Sequence, residues 1–192
     1  MAEKKTDRRA LKTQKALKNG LAELLTEKDL RNITVQEISD KVDIHRVTFY
    51  KHYLDIYDLY EQLENEVLAD LGLLIIKFHE NPSMDFSKEL IDYIEQNPKI
   101  FKMIFSPHTT SELRIKLSNM VEGVFRLIQT EKNAVDLKDS KMDYLSAYWS
   151  NGCVAILEKW VQKDFSESKD YIIKTISQLD EHMEKYIADQ VG

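Results

Sequence analysis

The sequence predicts an all-α protein of nine helices, and three observations carry that prediction. Glycine and proline number only 5 and 3 in 192 residues, so few positions break a helix. Apolar residues recur at spacings of three, four and seven along most of the chain, the period of a helix with one buried face. No run alternates apolar and polar residues in the strand period, and no internal repeat or low-complexity segment interrupts the pattern.

The first helix is expected from Asp7 to Thr26, with Leu11, Leu17, Leu21, Leu24 and Leu25 on one face and Thr6 or Asp7 as its cap. Arg8, Arg9, Lys12, Lys15 and Lys18 crowd its first half, where they oppose the helix dipole and an external anion would stabilise them. Glu27–Lys28–Asp29 ends it. Thr34 caps a short helix, Val35 to Val42, and Glu37 three residues on completes a capping box. Asp43 and Ile44 interrupt, and a second short helix follows from His45 to Tyr53. Asp55 caps a long helix that reaches His79 and is broken at Asn81–Pro82. Its apolar run, Leu71 to Ile76, reads as a buried segment. Further helices are expected at 85–96, 98–105, 111–129, 140–163 and 168–190. The breaks between them are Asn97–Pro98, Ser106–Pro107, the polar stretch 130–139 and Asp164–Phe165–Ser166.

Composition bounds the setting. The amino end, Met1 to Lys15, is charged and lacks the apolar core of a secretory leader. No apolar run approaches the roughly 18 to 20 residues of a membrane span. The single cysteine, Cys153, forms no internal disulfide and no multi-cysteine metal site. A cytoplasmic protein with no membrane partner is expected. The net charge of -6 argues against nucleic acid, but its distribution argues the other way. Residues 1–53 carry 12 Lys+Arg against 8 Asp+Glu, a balance of +4, and the remainder carries 15 against 25, or -10. A basic head on an acidic body suits a protein of which one part meets an anion.

The segment from Thr34 to Tyr53 is the informative one. Ile38, Val42, Ile44 and Phe49 are spaced to meet between two short helices that cross steeply, and Ser39 is small where the second must approach. Those are the packing demands of a helix-turn-helix, whose second helix enters a major groove. Its outward positions, His45, Arg46, Val47, Thr48, Tyr50, Lys51 and His52, offer donors and cations that suit phosphates and base edges.

The run Thr48-Phe49-Tyr50-Lys51-His52-Tyr53, followed by Asp55 and Leu59 and preceded by Thr34-Val35 and Glu37-Ile38, resembles the DNA-binding domain of the TetR/AcrR family of transcriptional regulators. The likeness covers residues 10–60, and the remainder resembles the family only in its pattern of six further helices with Trp160 near the end of the penultimate one. Three positions depart from the family pattern. Asp43 stands where the turn commonly carries Gly, His45 where a serine opens the recognition helix, and Ile56 where a lysine lies near the start of the fourth helix. Asp tolerates a left-handed backbone at roughly 1 kcal/mol over Gly, so the turn is expected to survive. A phosphate contact is expected to be lost at Ile56.

The resemblance implies a helix-turn-helix DNA-binding domain over residues 1–54 and a helical regulatory and dimerisation domain over 55–192. It also implies DNA contacts at Thr13, Thr34, His45, Arg46, Val47, Thr48, Tyr50, Lys51 and His52. A small-molecule effector pocket is implied in the carboxy-terminal domain, with Phe101, Phe105, Tyr144, Tyr148 and Trp149 as candidate lining. The alternative for those aromatics is simple core packing. The last two helices carry apolar stripes, Leu145, Trp149, Ile156 and Trp160 on one and Ile172, Ile176, Leu179, Met183 and Ile187 on the other. In the family such a pair forms a four-helix bundle with its twofold mate, and a homodimer would set two recognition helices in successive major grooves.

No metal or cofactor is expected, since His45, His52, His79, His108 and His182 form no ligand pair. Carboxylate pairs such as Asp136/Asp139 and Glu181/Glu184 read as solvated charge. No phosphate loop, nucleophile elbow or Ser/Cys–His constellation is visible, which speaks against an enzyme. The expected function is a DNA-binding regulator, a repressor released from a near-palindromic operator by a small molecule. The alternative is a co-regulator or activator that works through a protein partner.

Overall fold

The computed structural model describes residues 2–81, 83–109, 111–133 and 140–191. The expected break at Pro82 and the stretch 134–139, with Asp136 and Asp139, lie outside them. Among the described residues the chain forms nine α-helices and no strand. They are α1 (Ala2–Leu24), α2 (Val35–Lys41), α3 (Arg46–Phe49), α4 (Ile56–Glu80), α5 (Phe86–Gln96), α6 (Pro98–Ile104), α7 (Ser111–Asn133), α8 (Ser140–Gln162) and α9 (Lys169–Val191), with a 3-10 turn at Leu30–Asn32 after α1.

Three boundaries differ from expectation by more than two residues, among them the end of α7, which runs to Asn133 rather than 129. α1 begins at Ala2, so Thr6 and Asp7 lie within it and do not cap it. The basic cluster therefore sits in the helix middle, away from the N-terminal dipole. α3 is four residues long, and its expected continuation to Tyr53 is a series of tight turns instead.

The chain packs as two compact units. One comprises the residues up to Ala69 with Pro98–Ser111, and the other comprises Asp70–Asn97 with the residues from Glu112 onward. Packing thus groups the chain otherwise than a division at residue 54 would, because α4 runs through both units and α6 belongs to the first.

In the first unit α1 packs on α2 and α6, and its Leu17 and Leu21 are buried together with Leu25 just beyond its end. Ile38, Phe49, Leu59, Phe101, Met103 and Ile104 complete that core. Gly20 permits a close approach. A Cβ there would lie 2.6 Å from Cγ1 of Val42, the residue that caps the end of α2, so a side chain at position 20 would force Val42 to shift. Ion pairs stitch the same elements: Lys18 with Glu66 of α4, Lys28 with Glu37 of α2, and Glu23 with both Lys41 and Lys99.

In the second unit α9 packs on α5 and α8. Phe125 stacks on Trp149 at 4.7 Å between ring centroids, and Lys169 of α9 holds Asp92 of α5 at 2.6 Å. Tyr93 donates to Asp70 at 3.0 Å, and burial pushes its hydroxyl well above the ordinary phenol range. α8 ends in two successive left-handed residues, Asp164 at φ 57° and Phe165 at φ 58°, each costing roughly 1–2 kcal/mol. The Phe165 ring meets Trp160 edge-on at 4.9 Å, and the Trp160 indole donates to the carbonyl of Glu167 at 2.8 Å. These contacts hold the turn that launches α9. The apolar run Leu71–Ile76, expected to be a buried segment, is buried only in part. Leu71 and Leu74 are buried but Leu73 and Ile76 are each 54% exposed, because a helix with neighbours on one side covers only one face.

Gly20→Ala tests the close approach. Alanine favours a helix by about 1 kcal/mol over glycine, yet the clash with a stiff valine should outweigh it and lower stability by about 1–2 kcal/mol. Thermal melts of Gly20→Ala beside Gly20→Ala/Val42→Ala check this, the second change recovering part of the loss.

Candidate DNA-binding surface

Local chemistry sets the helix-turn-helix. Thr34 caps α2, its hydroxyl accepting from the Glu37 amide at 3.2 Å. The carboxylate of Glu37 is paired with Lys28, so it ties α2 to the loop after α1 rather than closing the expected capping box. α2 ends in the turn that the departure at Asp43 placed in question. Asp43 adopts φ 55°, its amide reaches the Asp40 carbonyl at 3.3 Å, and the Ile44 amide reaches the Ser39 carbonyl at 3.0 Å. That is a Schellman closure with aspartate in the left-handed position. His45 precedes α3 in extended conformation and makes no side-chain cap hydrogen bond.

Phe49 is the anchor of α3. It is fully buried with Ile38, while Val42 and Ile44 are half-buried beside them. Tyr50 meets the Phe49 ring edge-on at 5.5 Å, and Tyr53 lies 5.8 Å from it. Ser39 is buried, as its small size suggested, and its hydroxyl has no partner among the described residues. Tyr53 is buried with its hydroxyl likewise unpartnered, and desolvation, with a smaller push from Asp58, raises its pKa to about 12.

With Phe49 turned inward, the rest of the segment faces solvent. His45, Arg46, Val47, Tyr50 and Lys51 are exposed, and Thr48 and His52 are half-buried. Thr34 is exposed at the start of α2. Thr13 is half-buried on α1, its hydroxyl donating back to the Arg9 carbonyl at 3.0 Å. The side chains of Arg46 and Lys51 enter no ion pair or hydrogen bond among the described residues. Lys18, one of the five cations read as awaiting an anion, is instead paired with Glu66. Arg8, Arg9, Lys12 and Lys15 are exposed.

The start of α4 departs further than its sequence showed. Ile56, in place of a lysine, is buried at 5% exposure. Asp55 accepts from the Asp58 amide at 2.9 Å, and Asp58 accepts from the Leu54 amide at 2.8 Å. Both amides are satisfied by carboxylates, so this helix start presents negative charge.

The five residues expected to line an effector pocket are not brought together. Phe101 and Phe105 are buried in the first unit with ring centroids 6.3 Å apart, part of the packing of α6. Tyr144 and Tyr148 are highly exposed on α8, and only Trp149 is buried in the second unit. Core filling therefore accounts for Phe101 and Phe105. Tyr148 and Trp149 do line a cavity, an open groove of about 540 Å³ between α8 and α9. Leu145, Ile156, Leu179, Met183 and Tyr186 supply most of its apolar wall. Asp180 accepts from the Trp149 indole at 2.5 Å within it, and burial with the nearby Asp180 charge pushes the Cys153 thiol far up. The expected stripes divide here. Trp149, Trp160, Ile172, Ile176 and Ile187 are buried within their own unit, while Leu145, Ile156, Leu179 and Met183 remain accessible.

Sequence reasoning missed Gly20, Glu23 and the tyrosine-rimmed groove. The signal for Gly20 was a lone glycine within a leucine-faced helix, and for the groove it was Tyr148 on α8 and Tyr186 on α9 beside the apolar stripes of those helices.

Residues 82–182 match a TetR family profile described as the transcriptional regulator C-terminal region. Over 70 residues the chain is 36% identical to an uncharacterized HTH-type transcriptional regulator, YxbF of Bacillus subtilis (strain 168). That alignment spans 36% of this chain and only 18% of the relative. The fold is similar to that of a TetR transcriptional regulator from Streptococcus agalactiae 2603V, with a TM-score of 0.58 and 19% identity over 91% of this chain and 96% of that one. It is also similar to the fatty acid degradation regulator FadR from Bacillus halodurans, with a TM-score of 0.64 and 14% identity over 86% and 93%. The dihydroxyacetone kinase operon activator DhaS gives a TM-score of 0.57 and 20% identity over 87% and 93%.

The unpartnered hydroxyl of Tyr53 yields a prediction with a sign. Its folded pKa lies above the unfolded value near 10, so its contribution is complete below that value and is lost as pH rises toward about 12. Tyr53→Phe should keep full stability at neutral pH, and alkaline denaturation monitored by circular dichroism should then show a smaller loss between about pH 10 and 12 than the native protein, with the contributions of Tyr93 and Cys153 remaining.

Proposed function

The chain belongs to the TetR family of transcriptional regulators, and on that premise we propose that it binds a near-palindromic DNA operator as a homodimer and represses transcription. The observation that carries this reading is the surface of α3 and its following turns, where Arg46 and Lys51 stay exposed and unpaired while Phe49 is buried beneath them. Arg46, Thr48, Lys51 and His52 would approach base edges or phosphates, with His45 and Val47 beside them. Thr13, Thr34 and Tyr50 would hold the backbone. A helix as short as α3 gives few contacts alone, so affinity requires two, set about 34–36 Å apart by symmetry.

The second copy is proposed to cover the groove between α8 and α9. Tyr148 at 74% and Leu179 at 54% exposure leave an apolar surface of the kind that marks an interface. A small-molecule effector acting on residues 55–192 would favour a conformation with lower operator affinity, through a coupling of about 1–3 kcal/mol. Around Trp149 the present structure encloses only about 10 Å³ of apolar space with Phe86, Cys153 and Leu157 as neighbours, so such a ligand would have to open it. The setting proposed is the cytoplasm; among the described residues no helix is long and apolar enough to cross a membrane.

A second reading, a co-regulator or activator that needs a protein partner, is favoured by the start of α4. There a buried Ile56 and the carboxylates of Asp55 and Asp58 stand where a phosphate contact would lie. A gel shift with the purified protein alone separates the two readings, since the co-regulator gives no shift without its partner.

Arg46→Ala should weaken operator binding by about 1–3 kcal/mol while leaving the melting curve unchanged. The affinity of the native protein should fall by about 0.9 log unit per log unit of salt for each phosphate neutralised, and a flat titration sinks the reading. Leu179→Glu should sediment as a monomer and lose operator binding with its fold intact.

A further inference from the structure

We propose that Glu23 is a positioning residue for DNA binding, setting α2 against α1 and α6 by holding Lys41 and Lys99 at once. The proposal rests on reading the first unit as a DNA-binding head. Glu23 lies in the last turn of α1, one turn beyond Gly20, and so shares the face on which α1 meets Val42. Its Oε2 lies 3.1 Å from Nζ of Lys41, the last residue of α2, and its Oε1 lies 2.5 Å from Nζ of Lys99, in the first turn of α6. The two lysines hold the carboxyl below its usual range, Lys99 the more strongly.

One carboxylate thus joins three helices. All three side chains are partly exposed, so each pair contributes only about 0–1 kcal/mol, too little to explain why three elements converge on it. What the network does set is direction. α2 has seven residues, and its C-terminus leads through the Asp43 turn straight into α3. A shift of Lys41 therefore displaces Arg46 and Lys51 together. α6 supplies the outside reference, since it packs in the first unit while its chain neighbours α5 and α7 pack in the second. A binding surface held to within a few tenths of an ångström by such supports loses affinity when they are loosened.

Simple electrostatics and positioning predict opposite signs for Glu23→Gln. Removing a negative charge from a DNA-binding head should tighten binding, whereas removing the support should weaken it. The test uses the full chain and a duplex that the native protein selects from random-sequence DNA, with affinity read by fluorescence anisotropy across a salt series. Glu23→Gln should bind about fivefold more weakly with its salt slope unchanged, because no phosphate contact is removed. Its melting temperature should stay within a few degrees of native, as expected for exposed pairs. Lys99→Arg should bind normally, and Lys99→Gln should weaken binding less in the Glu23→Gln background than in the native one. A well-folded Glu23→Gln that binds as tightly as native or tighter overturns the proposal, as does an equal effect of Lys99→Gln in both backgrounds. Should Glu23→Gln fail to fold, Lys99→Gln and Lys99→Arg decide alone, and equal affinities for the two overturn it. If the native protein selects no duplex at all, the DNA-binding reading itself falls and takes this proposal with it.

Discussion

The contact of α1 with the end of α2 at Gly20 is the constraint from which the first unit, the proposed DNA-binding head, is built. A helix of four residues cannot hold itself together in water, and one of seven is little better. α2 and α3 exist because Ile38 and Phe49 are buried in the core of the first unit, and the seating of α2 on α1 brings Val42 into the space that a methyl group on Gly20 would fill. Once α2 is seated there, the left-handed Asp43 fixes the angle at which α3 departs. Phe49 then turns inward, and the alternate positions of the segment have nowhere to go but out.

Charge in this head falls into two populations. Lys18, Lys28, Lys41 and Lys99 are spent on carboxylates of neighbouring elements and hold helices in place. Arg46 and Lys51 are not, and their fields extend into solvent. An acidic protein can therefore meet an anion, because the net charge is a sum over the whole chain while a duplex within a Debye length senses mainly the nearest side chains. The acid-capped start of α4 marks where that cationic surface stops.

α8 and α9 present a different problem. Each carries an apolar stripe that its neighbours within the unit cover only in part. Trp149, Trp160, Ile172, Ile176 and Ile187 fill the interior of their own unit. Leu145, Tyr148, Ile156, Leu179, Met183 and Tyr186 are left around an open groove. The tyrosines suit such a position, since each carries an apolar ring with a hydroxyl that tolerates water.

By itself the sequence determined the helices, their order and most of their ends, because these follow from local chemistry: the 3.6-residue period, Thr34 and Asp55 as caps, Asn97–Pro98 as a break. It also determined which side of α3 faces outward, since one buried phenylalanine settles the phase of so short a segment. Tertiary structure alone decided the partners. The sequence grouped Phe101 and Phe105 with Tyr144, Tyr148 and Trp149 by residue type, but α6 packs on α1 and takes its phenylalanines into the first unit. It read Lys18 as a cation awaiting an external anion, and Glu66, 48 residues away, answers it. Glu37 looked bound to close its own cap, and Lys28 holds it instead. Long-range pairing depends on where distant helices come to lie, and no window of local sequence carries that information.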